Sequence, residues 1–272
     1  MSRIVEILLV PENFNQEQDG IYFRTLIKVL LEKLETDHVQ VHANFKYGIP
    51  GWAPITGKVS RYTASCRISV RGWSKRGRIL YKYALAVDTT VMTVCPCSLA
   101  TTEGRAAHVQ RCYLGCNIAM GDVVHYERIW IEDIARLLRA SGSAPVHSLL
   151  KREDEAELCM QAFDNPKFVE DVVRDACGDA VLAFGRDTHN VETIEITARS
   201  KESIHPYDVM CSVLWPHDLA TEEFIEDINQ LKQRVEEILG RETDKSQAET
   251  QAKEEEKEAE EGGEGEIDPE AT

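Results

Sequence analysis

The chain has 272 residues, 43% of them hydrophobic, and sets 31 Lys and Arg against 47 Asp and Glu for a formal net charge of −16. That length supports a sizeable core and one or two domains, and the acidity excludes a general nucleic-acid-binding surface, which needs a basic one. No run of roughly eighteen apolar residues offers a transmembrane helix, and the start, Met1 to Val10, has too short an apolar stretch for a secretory signal, so the chain is expected to be cytoplasmic, with no membrane partner.

The charge is unevenly spread. From Arg241 onward there are 13 acids and 4 bases, a net −9, which leaves −7 for residues 1–240. That tail holds a single large aliphatic residue, Ile267. It cannot bury enough apolar surface to offset the entropy of ordering and is expected to be disordered. The expected organisation is one domain over residues 1–240 and an acidic tail over 241–272.

Taken in chain order, the helical spacing of Tyr22, Phe23, Leu26, Ile27, Leu30 and Leu34 predicts a helix over about 20–36. Val39 to Phe45 alternates as a strand does, and Gly48-Ile49-Pro50-Gly51 reads as a turn. Lys58–Arg71 and Arg78–Val94 are long strand candidates joined by a basic hairpin tip at residues 72–77. Cys112–His125 reads as another strand, Ile129–Arg139 as an amphipathic helix ended by Ser141-Gly142, and Glu153–Phe163 and Pro166–Cys177 as two more helices. Ala180–Phe184, Val191–Arg199 and Val209–Trp215 read as strands and Thr221–Leu239 as a last helix. Strands, then helices, then strands and a helix predict an α+β fold with an antiparallel sheet backed by helices.

Four clusters could carry chemistry. Cys95-Pro96-Cys97-Ser98 follows a strand, and His108 lies thirteen residues after Cys95. Thiolate and imidazole suit zinc or ferrous iron, yet a Cys-x-Cys pair alone fits a packing role as well. Leu150-Lys151-Arg152-Glu153-Asp154-Glu155 opens a helix with acids that the helix dipole favours on any solvated face. In Phe168-Val169-Glu170-Asp171, with Phe168, Val169 and Val172 facing the core, an adjacent acid at the core's edge could accept hydrogen bonds from a guanine edge; the alternative is a salt-bridged surface acid. In Glu202-Ser203-Ile204-His205-Pro206, a His before proline is extended or in a turn, where it could act with Glu202 as ligand and proton carrier or simply be a surface residue. Cys66, Cys159, Cys177 and Cys211 read as small buried hydrophobes. No dinucleotide fingerprint, P-loop, Gly-x-Ser-x-Gly elbow or His-Glu-x-x-His is present.

These segments, together with Ala107-His108-Val109-Gln110-Arg111 and the run Asn165-Pro166-Lys167 ahead of Phe168, occur in an order that resembles the type IB GTP cyclohydrolases, whose archaeal branch is MptA. The resemblance covers residues 1–240. It implies a tunnelling fold, in which antiparallel sheets and helices of several subunits surround a central tunnel in a homo-oligomer, dimer or tetramer, with active sites at subunit interfaces. It also implies a strand ahead of the helix near Met1 that is expected to be missing here. It implies GTP as substrate and a divalent metal, Fe2+, Mn2+ or Zn2+. Carried onto this chain, Cys95, His108, Glu155 and His205 would hold the metal, and Cys95, His108 and Glu202 would serve catalysis. Glu170 would anchor the guanine edge, and Arg105 and Arg111 would meet the phosphates. Cys97 would be a packing or supporting residue. The implied product is 7,8-dihydroneopterin triphosphate, or a cyclic phosphate in the archaeal branch. Two other readings stand beside it: a non-catalytic tunnelling-fold protein with Cys95 and Cys97 in a closed structural metal site, and a related nitrile-reducing enzyme with a nucleophilic Cys and no metal.

Overall fold

A computed structural model describes residues 19–122, 127–185, 189–216 and 233–240. Its centre is an antiparallel sheet. Strands β1 (His38–Trp52), β2 (Val59–Lys75), β3 (Arg78–Val94), β4 (Val109–Met120), β6 (Val191–Ser200) and β7 (Val209–Trp215) lie in that order, and the short β5 (Ala144–Pro145) pairs with β3. The helices are α1 (Asp19–Leu34), α2 (Pro96–Thr101), α3 (Ile131–Ser141), α4 (Arg152–Asp164) and α5 (Val169–Phe184), with residues 233–240 also helical. The α+β layout is the expected one.

Period-two alternation decides which face is the core. Tyr83, Leu85, Val87 and Val91 of β3, Leu114, Cys116 and Ile118 of β4, and Ile194 and Ile196 of β6 are buried on the helix side, where they meet Leu26, Ile27 and Leu30 of α1, Ile134, Leu137 and Leu138 of α3, and Val172, Val173 and Ala176 of α5 in one cluster. The opposite face carries Asn44, Lys46, Arg67, Asp88, Tyr113 and Arg199 and lines open polar clefts. At Gly72 an added Cβ would stand 2.1 Å from the Ile27 methyl, so the missing side chain is what lets α1 settle on β2.

Several expectations change. The Gly48–Gly51 segment is not a turn. It continues β1, with Gly48 opposite Thr63 and Gly51 opposite Ser60, because the long hairpin partner β2 satisfies its backbone. Ala180–Phe184 is the end of α5 rather than a strand: Ala180 and Phe184, four residues apart, both face the core, and a five-residue apolar run does not by itself separate helix from strand. Cys159 is exposed and Cys211 only half-buried, while Cys66 and Cys177 are buried as expected. The strand expectation over Cys112–His125 holds to Met120, and His125 lies outside the described residues. The final-helix expectation is met at residues 233–240; the rest of it, like the tail from 241 and the first 18 residues, lies outside them.

One buried charge carries a pH prediction. Asp179 of α5 is fully buried, with Arg234 Nη2 2.9 Å away and Asp175 and Lys167 in the same network. Burial pushes its carboxyl up to about 6, with the Arg234 charge opposing. Between the ordinary carboxylate range and 6, the folded chain holds a proton that the unfolded chain has released, so stability falls as pH rises through that window. Asp179→Asn removes the effect. Its stability relative to the parent is expected to rise by on the order of 2 kcal/mol between pH 4 and pH 7, read from urea midpoints at both pH values. A difference that does not change with pH would contradict it.

Candidate metal and substrate site

Antiparallel pairing brings the C-terminal end of β3, the N-terminal end of β4, the C-terminal end of β6 and the start of β7 to one end of the sheet. Cys95 follows β3 and His108 precedes β4. The last pair of the ladder is Val94 opposite Val109, and the Cys95 amide donates to the His108 carbonyl at 3.2 Å. The Ser98 hydroxyl ties the same two residues: it donates to the Cys95 carbonyl at 3.3 Å and accepts from the His108 amide at 3.3 Å. The motif Cys-Pro-Cys-Ser thus folds as a short helix, α2, that starts at Pro96, where a missing N–H costs nothing.

The His108 ring is oriented by a neighbour on its own side of the strand. Gln110, two residues on, places Oε1 2.8 Å from His108 Nδ1. With the proton on Nδ1 donated to that amide oxygen, Nε2 keeps its lone pair, the arrangement in which a second partner fixes the tautomer of a metal-binding His.

The strand end that delivers Cys95 is clamped. Beyond the Ser65–Asp88 pair, β2 parts from β3. The vacated edge of β3 is taken by Val91–Pro145 and Met92–Ala144 pairing, by the Ser143 amide on the Met92 carbonyl at 2.9 Å, and by the Val94 amide on Ser143 Oγ at 3.1 Å. The Lys167 amide then donates to the Val94 carbonyl at 3.1 Å, and its ammonium to the Ser141 carbonyl at 3.1 Å and to Asp175 at 2.6 Å. Lys167 therefore ties the start of α5, with Glu170 in its first turn, to the residue before Cys95.

The remaining expected residues lie around this end. The β6–β7 loop carries Glu202, which accepts from Ser200 Oγ at 2.7 Å, and the Lys201 amide donates to the Arg111 carbonyl at 2.8 Å. Burial, with the Glu202 charge adding to it, pushes the Cys112 thiol on β4 up to about 12. Burial also raises the Cys211 thiol on β7, followed by the Glu170 charge, which places Glu170 within electrostatic reach of that strand. Glu155 is exposed one residue past Asp154, on a helix whose Leu158 packs against Val94. His205 is exposed and stacks on Tyr207, with ring centroids 5.2 Å apart. Arg111 is exposed, and so is Arg105, whose Nε donates to the Thr102 carbonyl.

Among the described residues of one protomer, no three His, Cys, Asp or Glu side chains stand close enough to hold an ion. Cys95 and His108 come together; Glu155 and His205 stand apart from them. The donor chemistry nevertheless fits a divalent ion, since a half-buried thiol and an imidazole whose Nδ1 is taken up by Gln110 lie together at one end of the sheet, with Glu202 on the neighbouring loop. Two details differ from the sequence reading: Cys97 is exposed rather than packed, and Phe168 is exposed while Val169 and Val172 are buried. Ser98, Gln110, Asp154 and Lys167 were not anticipated. Of these, only Gln110 had a usable signal, its i, i+2 position on the same strand face as His108.

A profile described as type I GTP cyclohydrolase folE2 matches residues 1–211. Proteins named GTP cyclohydrolase FolE2 from Maridesulfovibrio salexigens and Nitratidesulfovibrio vulgaris are 35% identical over 222 residues and 36% identical over 214 residues, covering 79% and 78% of this chain and 77% and 74% of theirs. One of the same name from Syntrophobacter fumaroxidans is 32% identical over 213 residues, 78% of this chain and 76% of its own.

Proposed function

Because the chain belongs to the type I GTP cyclohydrolase FolE2 family, we propose that it is a metal-dependent GTP cyclohydrolase that opens the purine imidazole ring and releases C8 as formate, at the start of pterin biosynthesis. The observation that supports this reading is the paired placement of Cys95 and His108 where β3 ends and β4 begins, with the Gln110 side-chain oxygen 2.8 Å from His108 Nδ1 and Glu202 on the neighbouring β6–β7 loop.

In this reading Cys95, His108, Glu155 and His205 hold the ion, Fe2+, Mn2+ or Zn2+. When bound, the ion supplies Lewis-acid chemistry that lowers the pKa of a water beside C8. The chain's own residues do the rest. Glu202, held by Ser200, moves protons to N9 and then N7 as two waters add at C8 in turn and the bonds of those nitrogens to C8 break. Glu170 accepts from the guanine N1–H and 2-amino group, and Arg105 and Arg111 take the triphosphate. The skeleton then recloses to 7,8-dihydroneopterin triphosphate, or ends as its 2',3'-cyclic phosphate.

We assign the protein to a cytoplasmic homo-oligomer, dimer or tetramer, with its sites at subunit boundaries. Val109, Leu149, Phe168, Ile204, Tyr207 and Met210 are exposed around the site end of the protomer, and Met210 is 76% exposed. Such an apolar rim beside an incomplete ligand set suits a second copy.

The test is incubation of the protein, reconstituted separately with each of the three metals, with GTP, followed by detection of formate and of a fluorescent pterin after oxidation. Absence of formate with every metal sinks the reading. In the same assay Glu170→Ala is expected to raise the KM for GTP by roughly 10- to 100-fold, the loss of a charge-assisted hydrogen-bonded contact, while metal content stays at the parent level. Loss of metal in that variant would show Glu170 misplaced.

A further inference from the structure

Asp154 is fully buried in the first turn of α4, and four donors converge on it. Oδ1 accepts from the Ile55 amide at 3.0 Å and the Thr56 amide at 2.9 Å; Oδ2 accepts from Thr56 Oγ1 at 2.8 Å and the Lys151 amide at 2.9 Å. A carboxylate has about four acceptor sites, so none is left for an ion, a substrate or a proton in transit.

What Asp154 joins is more telling than its charge. Residues 53–58 connect β1 to β2 and form a closed turn, with the Ala53 amide on the Lys58 carbonyl and the Gly57 amide on the Ala53 carbonyl. They lie at the sheet end where β2 has parted from β3. Segment 142–151 fills the fork between those strands: β5 pairs with β3, Ser148 Oγ donates to the Arg61 carbonyl at 2.6 Å, and the Arg139 guanidinium sits 3.8 Å over the Tyr62 ring. Asp154 closes the fork on its outer side. One turn further along α4, Leu158 and then Ala162 pack with Val94 and Ala144. The helix is held by the turn at its first residues and by the β3 end along its body. Both its tilt and its rotation are set, and Glu155, about 100° around the helix from Asp154, is set with them.

We propose that Asp154 is a positioning residue, which locks the 53–58 turn onto the first turn of α4 and thereby fixes Glu155 relative to Cys95 and His108. The inference rests on the proposed metal role of those three residues. It requires no contact between Asp154 and the ion.

The test uses Co2+ alone as the probe in the full-length protein. In the parent, Co2+ is expected to give a thiolate-to-metal absorption band from Cys95. In Asp154→Asn, where an amide N–H replaces an acceptor and faces a donor, that band persists. Co2+ affinity falls by roughly 10-fold, the lower end of what changes around metal ligands produce, and the ligand-field bands shift as Glu155 is displaced. A purely structural role would lower the melting temperature and leave affinity and spectrum unchanged; that outcome overturns the proposal. Thr56→Val removes one donor with little change of shape. It covers the case in which Asp154→Asn does not fold, with an expected affinity loss of about 3-fold in the same direction; parent-like affinity there overturns the proposal as well. A parent protein that binds no Co2+ sinks the metal reading itself, and so separates that failure from this one.

Discussion

Cys95→Ala is expected to remove divalent-metal binding and GTP turnover together, with a loss larger than the roughly 100-fold that changes around a metal ligand produce, because here a proposed ligand goes. The substitution is a clean probe of that role. The contacts that place Cys95 are made by its backbone: its amide on the His108 carbonyl and its carbonyl under the Ser98 hydroxyl. All of these survive in alanine. The side chain is half-buried, and Cys95 starts α2 without a side-chain cap. The metal-free variant should therefore unfold within about 1 kcal/mol of the metal-free parent. Metal content and formate release measured on the same preparations check the result. Full activity in Cys95→Ala would overturn the assignment. Cys97→Ala is the companion measurement. Cys97 is exposed, and on the proposed reading its loss leaves metal content and turnover at parent levels. If both variants lose the metal, the pair is a closed clip and the structural-site alternative gains.

Most of the sheet was legible because alternation of apolar and polar residues is a local signal. The β2 and β3 expectations, Lys58–Arg71 and Arg78–Val94, fall almost on the observed strands, since each strand buries one face and must repeat every second residue. The misreadings came where a partner outside the local window decided the outcome. Gly48–Gly51 has turn composition, yet β2 runs alongside it to Val59. Ala180–Phe184 is apolar enough for a strand but is carried on as helix by its packing on β6 and β7. The candidate site divides in the same way. Cys95, His108, Glu155, Glu170, Glu202 and His205 were found as residue types in an order that resembles a family. That the segments carrying Cys95, His108, Glu202 and His205 meet at one end of the sheet follows from strand order, which no spacing in the sequence encodes. The residues that hold the site were harder still to see. Ser98, Asp154 and Lys167 act through bonds to backbone groups, and such bonds leave no pattern beyond the presence of a hydroxyl, an acid or a lysine. The parting of β2 from β3 after Ser65–Asp88, which makes room for segment 142–151, is a property of the assembled sheet.

Gly142→Ala tests whether that inserted segment is what aims the strand end. Gly142 has φ −72° and ψ 175°, an extended conformation open to any residue, so the glycine is required by space and not by backbone torsion. An added Cβ would stand 2.6 Å from Val91 Cβ, 2.8 Å from Val91 Cγ2 and 3.1 Å from the Met92 carbonyl oxygen. Val91 is fully buried and β-branched, so it cannot swing aside. The segment has to lift from β3 instead, which strains the Ser143–Met92 and Ser143–Val94 bonds and the Asn165 amide that donates to the carbonyls of Gly142 and Ser143. Overpacking of this kind costs about 1–3 kcal/mol, more than the roughly 0.4–1 kcal/mol that a Gly-to-Ala change can return by restricting the unfolded chain. Gly48→Ala is the control, because its Cβ would meet only Arg61 Cδ, at 3.8 Å. Urea midpoints should fall for Gly142→Ala and stay near the parent for Gly48→Ala. Since Val94 directly precedes Cys95, Gly142→Ala should also weaken Co2+ binding at the temperature where it is still folded. A variant that loses stability but binds Co2+ as the parent does would mean that β4 and the Cys95–His108 backbone bond alone hold the cysteine in place, and that the clamp on the other edge of β3 serves the fold without serving the site.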